Sequence, residues 1–220
     1  MKKLYALSLP LLAVAAFAIA PATASAITSY GTCAPGAASA NCPAGNKFTE
    51  FAEFEHVGVF ARNVSATFVL ENVAKTADIE CSSLEGIGYV RNVTKKGQSI
   101  ITLAFDGCKG SGLLKECKIN SKNNEEIEGT VDDEVLKEET VKKLYEVKIT
   151  ISEGFNVKCL KGGVEEELGN VTGSATGTQN EKTNVLKFSK ATGLKFGSGE
   201  EATITGEDEI STLQGKKVYI

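Results

Sequence analysis

Two cysteines enclose a glycine-containing loop in the stretch AFDGCKGSGLLKEC, residues 104–117. Cys108 and Cys117 lie nine positions apart, as do Cys33 and Cys42. Structural zinc sites favour paired ligands separated by two to four residues, and thioredoxin-like redox centres use C-x-x-C. Neither spacing occurs in this sequence. We therefore predict no metal site and no cofactor, and we interpret the thiols as disulfide partners.

The six cysteines of the chain are an even number, which is typical of disulfides in an exported protein. Six cysteines allow about 15 complete pairings, and the sequence alone cannot choose among them. Because neighbouring cysteines can close local loops, we predict Cys33–Cys42 and Cys108–Cys117, which leaves Cys81–Cys159 by elimination.

Nucleophilic catalysis would need a base, and His56 is the only histidine. Neither the G-x-S-x-G elbow nor the S-x-x-K motif is present. We therefore interpret His56 as a surface or packing residue. We predict no catalytic residue and expect that the protein is not an enzyme.

Carboxylates are the other groups that could carry chemistry, either as the acid pair of a glycoside hydrolase or as calcium ligands. They occur in runs at residues 125–126, 132–134, 165–167 and 207–209. No EF-hand loop is present. Because a catalytic acid needs a desolvated pocket, we interpret these runs as solvated turns and loops.

The N-terminus, MKKLYALSLPLLAVAAFAIAPATASA, has the layout of a secretory signal peptide. Lys2 and Lys3 precede an apolar stretch at residues 4–20, and residues 24–26 form a small-x-small cleavage signal. We predict a signal peptide at residues 1–26 and a secreted or cell-envelope protein with no transmembrane segment after cleavage.

The net charge of the whole chain is −4, and removal of Lys2 and Lys3 with the signal peptide makes it −6. This mild acidity argues against nucleic acid as the main partner. A cell-surface or protein partner is expected, but nothing in the sequence identifies it.

Apolar residues alternate with polar ones in several short runs that are separated by Gly, Asn and Asp clusters. In YEVKITIS, the residues Tyr145, Val147, Ile149 and Ile151 share one face. This period of two predicts an all-β fold, an antiparallel β-sandwich or barrel-like single domain at residues 48–220. Residues 27–47, rich in Gly, Ala, Ser and Pro, are predicted to form an irregular, disulfide-closed segment.

Two local features stay open at this stage. Residues 131–147 could form a helix with an apolar stripe, although the alternation favours strand–turn–strand. Asn63, Asn92 and Asn170 begin N-x-S/T triplets, which matter only in a glycosylating host.

A Gly-rich strand GIGYV, the run ITLAFDGC and the later ECKI and VKC resemble a group of uncharacterised secreted proteins of actinobacteria. In that group a V-x-F-x-G-C hairpin is followed closely by another cysteine. The resemblance covers residues 81–159, and it implies an all-β fold and export but no activity.

Together these features predict a non-enzymatic secreted or cell-envelope β-domain with a structural or ligand- or partner-binding role. Two alternatives remain. One is a secreted hydrolase with a carboxylate-based site. The other is a surface protein that assembles through edge strands such as the terminal GKKVYI.

Overall fold

The computed structural model describes residues 28–39, 42–74, 76–120, 126–139, 144–180 and 182–220. The predicted signal peptide, residues 1–26, lies outside this range. The described residues form strands and no helix. The strands are β1 (Gly31–Pro35), β2 (Asn46–Glu50), β3 (Val57–Asn63), β4 (Phe68–Asn72), β5 (Ala77–Cys81), β6 (Ser83–Val93), β7 (Lys96–Asp106), β8 (Lys109–Gly112), β9 (Lys118–Ile119), β10 (Ile127–Glu139), β11 (Leu144–Lys161), β12 (Val164–Asn180), β13 (Val185–Phe196), β14 (Glu200–Thr212) and β15 (Val218–Tyr219).

The larger sheet has twelve strands in the order β10-β7-β6-β3-β14-β13-β12-β11-β9-β8-β5-β4. It closes on itself because β11 also pairs with β10 and β14 also pairs with β4. The long strands β11 to β14 are joined at both edges to two sets of strands, β10-β7-β6-β3 and β9-β8-β5-β4, and each set closes a ring with them. The result is the predicted all-β, antiparallel, sandwich-like domain, with its apolar core inside the closure.

The alternation of apolar and polar residues in the sequence matches the alternation of buried and more exposed side chains along the strands. Tyr145, Val147 and Ile149 of β11 are buried, as are Ile101 and Leu103 of β7. The ambiguous residues 131–147 belong to β10 and β11, which pair antiparallel, so the strand interpretation is confirmed. Residues 140–143 between them lie outside the described residues.

The N-terminal segment is more regular than its composition predicts. Residues 31–35 and 46–50 are strands β1 and β2, and they join β15 in a three-stranded sheet of order β15-β1-β2. The prediction of an irregular segment at 27–47 is therefore wrong for β1. Its residues reach strand partners on both sides, β2 and the distant C-terminus, and composition cannot reveal a partner so far along the chain.

All six cysteines form disulfides, but only one of the three predicted pairs is right. The Cys33–Cys42 bridge is confirmed, whereas Cys108–Cys117 and Cys81–Cys159 are wrong, because the bridges are Cys81–Cys108 and Cys117–Cys159.

The physical reason for the disulfide pairing lies in the sheet. The loop between Cys108 and Cys117 contains strand β8, which pairs with β5, where Glu80 lies opposite Lys109. The next strand, β9, pairs with β11, where Leu160 lies opposite Lys118. Each of these cysteines therefore forms its disulfide with the cysteine that strand pairing brings close, and Cys108 and Cys117 do not bond to each other.

Among the described residues, no helix is long and apolar enough to cross a membrane.

Candidate functional site

Two acidic side chains point into the closed sheet at positions where its alternation requires apolar residues. On β10, Asp133 lies between the buried Val131 and Val135 and is 5% exposed. On β14, Asp208 lies two positions before the buried Ile210 and is 8% exposed. The strand period of two places each carboxyl group on the core face, together with its apolar neighbours.

Both carboxyl groups line a cavity inside the closed sheet, with a volume of about 80 Å³. The rest of its wall is apolar and is contributed by strands from both sides of the closure, with Ala61, Ile101, Ile149 and Leu186 among its members. This arrangement, an apolar hollow with a few convergent polar groups, is the usual form of a small-molecule site.

Three phenylalanines in mutual contact form part of the cavity wall. Phe105 packs edge-on against Phe68 and against Phe155, with ring centroids 5.7 and 5.4 Å apart. Gly206 of β14 lies against the Phe68 ring, and a β-carbon there would come within 2.4 Å of it. Because glycine has no side chain, position 206 leaves space for the Phe68 ring in the core.

Asp133 is held from one side only. The Ser99 hydroxyl donates a hydrogen bond of 2.5 Å to Oδ2, and Oδ1 has no hydrogen-bond partner among the described residues. Burial raises the pKa of Asp133 to about 7, with the Ser99 hydrogen bond opposing the rise and the Asp132 charge adding to it. The group is therefore largely protonated below neutral pH.

Asp208 is in the same situation. Its Oδ1 is buried and has no hydrogen-bond partner among the described residues. Burial, and then the charge of Asp133, raise the pKa of Asp208 well above its ordinary range. The two acids thus influence one another electrostatically across the interior, and ionising both together is strongly unfavourable.

Tyr30 interacts electrostatically with both acids and is 2% exposed. Burial, followed by the charges of Asp133 and Asp208, raises its pKa well above the usual value. Its backbone is fixed by Asn92, which accepts from Tyr30 N at 2.7 Å and donates to Tyr30 O at 2.9 Å. Gly97 leaves room for the ring, since a β-carbon there would come within 2.8 Å of it.

Glu209, the next residue after Asp208, is also buried but is fully paired on the other face of β14. Burial would raise its pKa, but hydrogen bonds from Arg62 at 2.6 Å, Lys217 at 3.3 Å and Asn184 at 3.2 Å outweigh burial and lower it. The contrast is informative, because the chain supplies cations to Glu209 and, among the described residues, no salt bridge to Asp133 or Asp208.

The sequence interpretation of the acidic runs as solvated turns and loops is therefore corrected for three of them. Residues 132–134 and 207–209 are parts of strands β10 and β14, and residues 165–167 are part of strand β12, although these last three are exposed. Glu126 is exposed, and Glu125 lies outside the described residues. No group of three or more metal-ligating side chains occurs in the described part of the chain.

The other singled-out residues lie away from the cavity. His56 is exposed and its ring lies 4.4 Å from that of Tyr89. Of the three N-x-S/T triplets, Asn170 is exposed and Asn63 is half-buried, whereas Asn92 is fully buried. Glycosylation at Asn92 is therefore incompatible with the folded state.

A signal for the two interior acids does exist in the sequence. The patterns Val131-x-Asp133-x-Val135 and Asp208-x-Ile210 put an acid in phase with apolar residues on one strand face. The sequence of each strand alone shows that its acid lies on the apolar face. Only the closure of the sheet brings Asp133 and Asp208 to the same cavity.

No protein-family model, no curated protein and no solved structure matches this chain. The site must therefore be interpreted from its own geometry.

Proposed function

We propose that this protein is a non-enzymatic, exported β-domain that binds a small, mainly apolar molecule inside its closed sheet. The observation that carries the proposal is the apolar cavity of about 80 Å³ with Asp133 and Asp208 in its wall. Buried carboxyl oxygens without partners cost free energy, so a fold that keeps two of them on a cavity wall gains when a ligand pairs them.

The cavity volume limits the ligand. It is well below the roughly 300–1,000 Å³ of drug-sized sites and about half of an engineered 150 Å³ cavity that binds benzene. A ligand of a few non-hydrogen atoms therefore fits, and n-butanol is a suitable neutral probe.

Binding is tested by the shift in thermal unfolding temperature. A ligand at ten times its Kd stabilises the folded state by about 1.4 kcal/mol, which raises Tm by about 3–6 °C for a domain of this size. Ala61→Leu puts three carbons into the cavity and is expected to abolish the shift. Ala104→Leu makes the same change on the partly exposed outer face of β7 and should retain it.

An equal shift in Tm with n-butanol in the two variants would overturn the proposal. If n-butanol shifts Tm alike in Ala61→Leu, Ala104→Leu and the parent protein, it acts at the surface and not in the cavity. The absence of any shift, at every accessible concentration, would also reject it.

Two acids on one cavity wall also favour the alternative of a carboxylate-based hydrolase. Glycoside hydrolysis needs one ionised and one protonated carboxyl group, whereas burial raises the pKa of both Asp133 and Asp208. A cavity of about 80 Å³ is also small for a sugar residue. Turnover of chromogenic glycosides by the parent protein, lost in Asp133→Asn, would establish the hydrolase instead.

Assembly through the terminal strand has less support. Val218, Tyr219 and Ile220 are buried, and β15 pairs with β1 of the same chain. Export is supported by the signal-peptide pattern at residues 1–26 and by three disulfides. The resemblance to secreted actinobacterial proteins stays a prediction.

A further inference from the structure

We propose that the ligand of the interior cavity carries an ammonium head group, which Asp133 and Asp208 bind while the apolar wall holds a short hydrocarbon chain. This inference rests on the proposed function and adds the chemical class of the ligand. It starts from two buried oxygens, Asp133 Oδ1 and Asp208 Oδ1, that lack hydrogen-bond partners among the described residues.

The two oxygens belong to different strands and to one cavity. An ammonium group has several donors and can pair both oxygens while one carboxyl is ionised. A hydroxyl group has a single donor, so it can pair both carboxyl groups only by accepting from one that is protonated. Binding of an amine therefore displaces a proton from the pair, whereas binding of an alcohol of the same size does not.

Charge leads to the same class of ligand. The titratable groups coupled to Asp133 or Asp208 by charge are Tyr30, from the segment before β1, and Asp132 on β10. Arg91, Glu134 and Lys148 line an outer pocket that Asp133 also borders. Strand pairing adds the neutral residues Ser99 and Ile149 beside Asp133, and Asn63 and Leu186 beside Asp208.

Neither Arg91 nor Lys148 pairs Asp133 Oδ1, which has no hydrogen-bond partner among the described residues. A ligand cation would therefore be the balancing charge for one ionised carboxyl, while the second carboxyl stays protonated. In a buried site, such a pair avoids the high cost of a lone charge.

An inorganic cation does not fit the same wall. Calcium takes about six to eight oxygen ligands, and magnesium needs near-octahedral oxygen geometry. The cavity offers the oxygens of two carboxyl groups in a lining that is otherwise apolar. The apolar wall cannot coordinate a metal ion, whereas the carbon chain of an alkylammonium ion can pack against it.

The test compares n-butylammonium with n-butanol, which has the same number of non-hydrogen atoms but no charge. Isothermal titration calorimetry of the disulfide-intact protein at pH 6, in two buffers of different ionisation enthalpy, counts the protons exchanged on binding. We expect release of close to one proton per n-butylammonium bound, because the acid pair is mostly protonated at that pH. No proton release is expected with n-butanol.

Variants locate the effect. Asp133→Asn with Asp208→Asn should lower the affinity for n-butylammonium at least tenfold and change that for n-butanol less than twofold. Asp106→Asn, an exposed position on β7, is the matched control and should change neither. If the double variant does not fold, the proton count on the parent protein still decides.

The outcomes separate this inference from the proposed function. Equal affinities for the two probes without proton release would reject the ammonium head group and leave the cavity as a binding site. No binding of either probe would reject both. Competition by calcium at millimolar concentration would also overturn the inference, in favour of a metal ion.

Discussion

Ser99 on β7 and Asp133 on β10 are direct partners across the sheet, and the Ser99 hydroxyl donates to Asp133 Oδ2 at 2.5 Å. Among the described residues, it is the one hydrogen bond to a carboxyl group that is otherwise surrounded by the core. It limits the rise in the Asp133 pKa that burial causes. The Ser99 hydrogen bond thus helps to hold the pKa of Asp133 near neutral pH.

The first prediction concerns stability against pH. The folded-state pKa of Asp133 is about 7, against an ordinary value of 3.8, so the folded protein keeps a proton that the unfolded chain loses. The stabilisation is complete below pH 4 and is lost as the pH rises to about 7, by up to about 4 kcal/mol. Asp208 contributes with the same sign.

Urea unfolding at pH 5, 6, 7 and 8 measures this loss. Asp133→Asn should flatten the dependence and be more stable than the parent protein at pH 8, because it cannot ionise. Asp106→Asn, on the exposed end of β7, should follow the parent curve. A stability that is level or rises between pH 5 and pH 7 in the parent protein would contradict the account.

The second prediction concerns Ser99. Ser99→Ala removes the hydrogen bond that lowers the pKa of Asp133, so that pKa should rise further. Titration of the Asp133 carboxyl carbon by NMR measures the change. Ser111→Ala is a matched control, because Ser111 donates to Asp78 at 3.1 Å in an exposed pair. An unchanged Asp133 titration in Ser99→Ala would show that the hydrogen bond does not act on this group.

The fold class could be predicted from the sequence, because alternation of apolar and polar residues, as from Tyr145 to Ile149, indicates which side of a strand is buried. The disulfide pairing was not, since it depends on which strands are neighbours. Cys81 and Cys117 meet partners 27 and 42 positions further along the chain. The acid pair was missed because runs of acids were interpreted by composition and not by phase with Val131, Val135 and Ile210.

The third prediction concerns these disulfides. Non-reducing peptide mapping should recover the links Cys81–Cys108 and Cys117–Cys159. The chain-entropy model gives about 4 kcal/mol for the loop closed by Cys117–Cys159 and about 2.7 kcal/mol for the shorter loop closed by Cys33–Cys42. Replacing both cysteines of a pair by serine should therefore lower Tm more for Cys117–Cys159. A larger loss for Cys33–Cys42 would contradict this order.

The fourth prediction concerns Asn92, whose buried side chain makes three hydrogen bonds. It accepts from Tyr30 N and donates to Tyr30 O and Phe51 O, the last two both at 2.9 Å. Asn92→Ala removes the partner of Tyr30 N and one donor each from Tyr30 O, which keeps Phe51 N at 3.0 Å, and from Phe51 O, and should cost about 3 kcal/mol. Hydrogen exchange at the Tyr30 amide should become faster. Asn170→Ala, at an exposed site of β12, should leave that amide protected.

Binding of a small molecule inside the closed sheet can be observed directly. The most direct measurement is a crystal structure of the disulfide-intact protein grown with n-butylammonium. We expect density for the ligand between Ile101 and Phe155, with its nitrogen within hydrogen-bond distance of Asp133 and Asp208. Ligand density confined to the protein surface, with only water or no density in the cavity, would contradict it.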